Sequence, residues 1–258
     1  DASVSHLYYA NRLKELVLGG FAVSVATAIL PTLSRQALSP DRGPFKDHLA
    51  FALRLIAFVT VPSTVGLVAL QTPIVRVLFE GGRFGAGDTR ATAGALATLS
   101  LGLFFFAAVR VVVPAFYALK STALPVAAAL ADAAVFVALC VFLTPRMGLP
   151  GIGLASSVAA AVNVGVLLLV LRRREGRLRG RALLGSLARI LAASAAMGAL
   201  LWAAGRVVPE VSYRGWRGAG LLTLVIAVAT VFYWLAARLV GSPEPEELRR
   251  LASRRARA

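Results

Sequence analysis

The feature that most limits what this chain can fold into is its series of long, nearly uncharged apolar blocks. A helix needs about 20 mostly apolar residues to cross a hydrocarbon core roughly 30 Å thick. Several blocks approach or reach that length, among them 16–33, 124–143 and 218–240. In lipid, backbone N–H and C=O groups must be satisfied internally, so only helices or closed barrels can span. Long apolar runs rather than period-2 alternation argue for helices. The expected fold is therefore all-α, a polytopic transmembrane helix bundle of about seven spans.

Composition agrees. Of 258 residues, 58% are hydrophobic and only 16% charged, with a mean hydropathy of +0.76, whereas a soluble domain carries about a quarter charged residues. The formal net charge of +16 would suggest nucleic acid in a soluble protein. Here no basic stripe is interleaved with aromatic residues outside the spans. Basic loops facing anionic membrane lipid account for the charge, and no nucleic-acid partner is expected.

Catalytic patterns are missing. The single cysteine, Cys140, lies in an apolar block, and His6 and His48 are far apart, so no metal site is expected. No phosphate loop, Ser/His/Asp set or pair of catalytic carboxylates is legible. Transport, not an enzyme activity, is the expectation. The chain begins at Asp1 without an initiator Met or signal peptide, the expected look of a fragment.

The spans are expected at 4–38, 50–70, 89–119, 124–143, 151–171, 183–204 and 218–240, with a short amphipathic piece at 73–79. Short loops punctuated by Pro and Gly, such as Pro40–Gly43–Pro44 and Gly81–Gly82, make consecutive helices antiparallel neighbours. Three units are expected: a transporter lobe over 1–174, two additional helices over 175–241, and a basic tail over 242–258. Alternate loops differ in charge. One set carries Arg35, Arg42, Lys46, Arg54, Lys120, Arg172, Arg173, Arg174, Arg177, Arg179 and Arg181, with Arg238, Arg249, Arg250, Arg254, Arg255 and Arg257 at the C-terminus. The other carries fewer: Arg76, Arg83, Arg90, Arg146, Arg206, Arg214 and Arg217. The first set is expected in the cytoplasm, with the C-terminus.

Polar residues within spans are the candidate functional groups, because charge at bilayer depth costs about 2.5 kcal/mol or more unless it faces a cavity or a partner. Arg12 and Lys14 precede the uninterrupted apolar part of the first span. Arg12 could snorkel to the outer headgroups, or point into a cavity and hold phosphate as a guanidinium fork; Lys14 is the weaker candidate. Arg110 and Asp132 lie equally far from the hairpin turn near Ser121, so an intramembrane ion pair is expected, either structural or part of a gate. Asn163 is expected to hydrogen-bond between helices, and Ser156 sits in a small-residue face that favours close packing. Pro62 and Pro114 are expected to kink their spans.

Four segments then carry a resemblance. LYYANRL (7–13) with LGGFAVSVATAILPTLSR (18–35), PIVRVLFEGGRFGAGDT (73–89), AFYALKSTALPV (115–126) and MGLPGIGLASS (147–157) lie in order and together resemble the MurJ (MviN) family of lipid II flippases. The resemblance implies a C-terminal half, the eighth to fourteenth helices of a two-lobed alternating-access transporter. Its partner would be its own missing N-terminal lobe. The implied cargo is lipid II, an undecaprenyl-diphosphate-linked precursor of peptidoglycan, flipped across the bacterial inner membrane without ATP. The resemblance places Arg12 in a cationic cavity as a diphosphate contact. It also makes the last two helices a groove for the polyprenyl tail. No cofactor is implied, and the drive would be a membrane potential or ion gradient. Relatives often carry Asn or Asp where Phe136 and Cys140 stand here. Those two side chains offer no hard oxygen, so a sodium site is doubtful. Another polyprenyl-linked oligosaccharide flippase, or an antiporter of the same superfamily, is the competing reading.

Overall fold

The computed structural model describes residues 2–176, 180–209, 212–213, 215–242 and 244. The basic positions Arg177, Arg179, Arg214, Arg249, Arg250, Arg254, Arg255 and Arg257, and most of the tail, lie outside them. The side chain of Arg181 is likewise not described.

Among the described residues the chain is helical, in the order α1 (Ala2–Gln36), α2 (Gly43–Ala69), α3 (Gln71–Phe79), α4 (Ala86–Leu101), α5 (Leu103–Ala118), α6 (Ala123–Met147), α7 (Leu149–Glu175), α8 (Gly180–Val207) and α9 (Gly215–Leu239). Six helices are long and apolar enough to cross a membrane, and α4 with α5 can form a seventh, bent span. The short α3 is the amphipathic piece read from the sequence. Its Pro73, Ile74 and Val75 are buried against the bundle.

The third span differs from expectation. It breaks by 44° between α4 and α5, at Gly102 and not at Pro114, which sits inside α5. The cause is close packing. A Cβ on Gly102 would lie 2.6 Å from Ser157 Oγ and 2.8 Å from its Cα, so glycine lets α7 press against the chain where it turns. Pro62 lies inside α2.

The small-residue face of α7 makes the expected close contacts. A Cβ on Gly151 would lie 2.8 Å from the Leu143 carbonyl oxygen of α6, and one on Gly153 3.0 Å from the Ala95 carbonyl oxygen of α4. The hydroxyl that bonds across is that of Ser157, not Ser156: its Oγ donates to the Thr98 carbonyl at 2.7 Å. The two serines differ by 100° around the helix, and Ser157 is the one whose bond to α4 is seen.

Two apolar clusters fill the interior. One joins α1, α2, α5 and α7 around Leu18, Leu53, Val112 and Leu167. The other joins α2, α3, α4, α8 and α9 around Phe58, Leu96, Ile190 and Leu222. At one end of the bundle, loops meet: Arg42 Nε lies 3.5 Å from Glu175 Oε2, and Arg174 donates to Ser121 Oγ at 3.2 Å. The basic loops grouped together by sequence therefore share one end. At that end Glu244 is fully buried. It accepts a hydrogen bond from Ser186 of α8 and lies 3.9 Å from Arg54 of α2. Arg54 thus turns toward a buried carboxylate.

Candidate functional site

The first half of α1 carries His6, Arg12, Lys14 and Glu15. Its buried positions His6, Ala10, Leu13, Lys14 and Leu18 turn inward; 6, 10, 14 and 18 recur every four residues and 10 and 13 are three apart, the spacing of a helix face. The opposite face shows Tyr8, Asn11, Arg12 and Leu16. Near its N-terminus α1 is fastened to the rest of the fold. His6 Nε2 lies 3.0 Å from Asp88 Oδ1, and the Tyr9 ring lies 4.7 Å from Phe79. The groups that follow are therefore held at fixed depth.

Arg12 is exposed. Its Nε and Nη2 donate to the Tyr8 hydroxyl at 2.9 and 2.6 Å, with the guanidinium carbon 5.0 Å from the Tyr8 ring centroid. One turn of helix away, Tyr8 thus orients the guanidinium without consuming its charge, because the hydroxyl is neutral. Lys14 points the other way and is buried, with 7% of its surface exposed. Its Nζ sits 4.2 Å from the Phe106 ring centroid and 3.9 Å from Glu15 Oε1. The ring face offers an ammonium partial compensation for lost water.

Arg110 of α5 does not pair with Asp132. Its Nη2 donates to Glu15 Oε2 of α1 at 2.8 Å. Equal distance from a turn fixes depth but not direction around the helix, and Arg110 faces α1. Glu15 is the residue that sequence reasoning missed. Its signal was present, an acid between a basic run and an apolar run, three residues after Arg12. Asp132 of α6 makes no such pair, and its Oδ1 is buried without a hydrogen-bond partner. Asn163 of α7 is buried, yet its Oδ1 also has no partner, so the expected bond between helices is not made by that atom. Among the described residues no group of three or more His, Cys, Asp or Glu could hold a metal ion.

Two clefts open among the described residues. An apolar cleft of about 380 Å³ lies between α2, α8 and α9, lined by Phe58, Pro62, Met197, Thr230, Tyr233 and Trp234. Pro62 therefore forms part of a wall. Tyr233 spans the floor, its hydroxyl donating to the Phe58 carbonyl at 2.8 Å. A second cleft, about 610 Å³, lies between Arg76, Glu80, Phe84 and Trp216, and no residue of α1 lines it.

Comparison with known proteins gives these features a context. Residues 1–213 match the family described as Lipid II flippase MurJ. A probable lipid II flippase MurJ from Bdellovibrio bacteriovorus is 31% identical over 97% of this chain and 47% of its own length. One from Rhizobium meliloti is 32% identical over all of this chain and 49% of its own. A lipid II flippase MurJ from Thermosipho africanus is 37% identical over 63% of this chain. The solved structure of a lipid II flippase MurJ in an inward closed conformation superposes with a TM-score of 0.76 at 29% identity, covering 92% of this chain and 47% of that one. The chain thus spans about half the length of the curated relatives it matches. With its multi-span helical fold, this places the chain in the membrane, and it belongs to the MurJ family of lipid II flippases.

Proposed function

We propose that the protein containing this chain flips lipid II across the bacterial inner membrane by alternating access, without ATP hydrolysis. The observation that carries the reading is Arg12, an exposed, Tyr8-oriented guanidinium in a chain of the lipid II flippase family. A guanidinium fork matches the oxygens of a diphosphate in geometry and charge. The apolar cleft between α2, α8 and α9 suits the polyprenyl tail, since its walls are almost wholly hydrocarbon and aromatic. One protein would thus hold the polar head at α1 and the tail at α8 and α9.

In this reading residues 1–174 form one lobe, 175–241 the two tail-binding helices, and 242–258 a cytoplasmic tail. The other lobe is contributed by the rest of the protein and closes the cavity opposite Arg12. Lys14 contributes positive potential from behind Phe106. The basic loops lie in the cytoplasm by the positive-inside bias, and the drive is a membrane potential or ion gradient. Phe136 and Cys140 supply no oxygen for sodium.

The test is reconstitution of the full-length protein in proteoliposomes, following lipid II accessibility in the outer leaflet. Wild type is expected to move it without ATP, and Arg12→Ala to slow transfer about tenfold or more, the worth of a charge-assisted contact. Wild-type vesicles that behave like protein-free ones would refute the reading.

A further inference from the structure

Glu15 and Arg110 form an ion pair that bridges α1 and α5 at 2.8 Å, yet both side chains remain partly open, with 41% and 31% of their surface exposed. A pair that served only to fasten the two helices would be redundant. Leu18, Ala22, Val111, Val112 and Ala115 already close that seam as part of one apolar cluster. The charge is also unbalanced. Arg12 lies three residues before Glu15, on a neighbouring part of the same helix face. Lys14 Nζ lies 3.9 Å from Glu15 Oε1 and feels Arg110 as well. Two cations therefore share one carboxylate, with the Arg12 guanidinium one turn before it, at a depth where unpaired charge is costly.

We propose that Arg110 is a second diphosphate-binding residue and that Glu15 is its displaceable counter-ion. In the empty site the Glu15 carboxylate holds Nη2, one arm of the fork that a phosphate would take. An arriving diphosphate replaces it bidentately, because phosphate oxygens and a carboxylate compete for the same N–H donors. Glu15, at the more open end of the pair, turns away. When the head leaves, Glu15 returns, so Arg110 is never left as a bare charge. The exchange keeps binding from becoming too tight for release. The inference rests on the flippase reading and adds to it a second arginine and a release device.

The experiment measures binding of undecaprenyl diphosphate, with neutral undecaprenol as control, to the full-length protein in lipid nanodiscs. Arg110→Gln is expected to weaken diphosphate binding about ten- to a hundredfold. Arg110→Lys, which keeps the charge but not the fork, should lose only part of that. Glu15→Gln is expected to bind about tenfold tighter, a gain that misfolding cannot produce, and most of the gain should vanish in Glu15→Gln/Arg110→Gln. Weaker binding by Glu15→Gln, or Arg110→Gln within about twofold of wild type while Arg12→Ala loses affinity, overturns this inference alone. Wild-type protein that does not distinguish the diphosphate from undecaprenol overturns it together with the flippase reading.

Discussion

At the residue scale, the account turns on guanidinium geometry. Arg12 is aimed by a neutral hydroxyl, so its charge stays available to an anion. Arg12→Lys should therefore keep attraction but lose the fork, with lipid II affinity falling about tenfold while expression stays at the wild-type level. Tyr8→Phe removes the orienting hydroxyl and leaves the ring, and should cost about three- to tenfold in affinity, a neutral hydrogen bond's worth. Titration of the purified full-length protein reads both. Sequence alone selected Arg12, Lys14 and Arg110, because charge within an apolar run is conspicuous. It mispaired Arg110 because depth on a helix is legible from residue counting and azimuth is not. A 100° step per residue turns Arg110 toward Glu15 and leaves the Asp132 Oδ1 without a partner. Glu15 went unremarked because an acid beside a basic run reads as local compensation, whereas its 2.8 Å partner lies 95 residues away.

At the element scale, the bend between α4 and α5 is a packing device. The sequence drew attention to Pro114, which removes a backbone donor, but the break falls where a Cβ would collide with Ser157. Gly102→Ala should cost about 1–3 kcal/mol through overpacking, seen as a lowered thermal transition of the purified protein. Ser157→Ala should cost nearer 0.6 kcal/mol, the average for a hydrogen bond between membrane helices. An equal or smaller loss for Gly102→Ala would mean α7 can retreat freely. Pro62 offers a similar lesson. Beyond any bend it gives α2, it forms a wall of the apolar cleft. Thr230 is an exposed residue lining that cleft, so Thr230→Trp should obstruct it. Binding of full-length undecaprenyl diphosphate should weaken, and that of a short-tailed analogue should not. Equal effects on both would exclude the cleft as the tail site.

At the scale of the whole molecule, helix number, order and approximate ends were legible, because hydrocarbon thickness and backbone satisfaction leave few alternatives for such a sequence. Which loops share an end was legible from charge and agrees with the Arg42–Glu175 and Arg174–Ser121 contacts. What could not be read was the surface left uncovered. The apolar window of α6 is only 6% buried, with Leu130, Val137 and Val141 open, a face for lipid or for the other lobe. Orientation has a direct check. With Cys140 replaced by Ala, a membrane-impermeant maleimide should label Ser212→Cys in intact spheroplasts and label Ser39→Cys only after permeabilisation; the reverse pattern would invert the topology.

The central claim is that a lipid diphosphate crosses the membrane past Arg12. Its most direct test uses cells whose own lipid II flippase can be shut off, supplied with the full-length protein. Wild type should restore growth and lipid II export, and Arg12→Ala, inserted at the same level, should not. Failure of the well-expressed wild type, or equal rescue by Arg12→Ala, would contradict the account, the first in its cargo and the second in its mechanism.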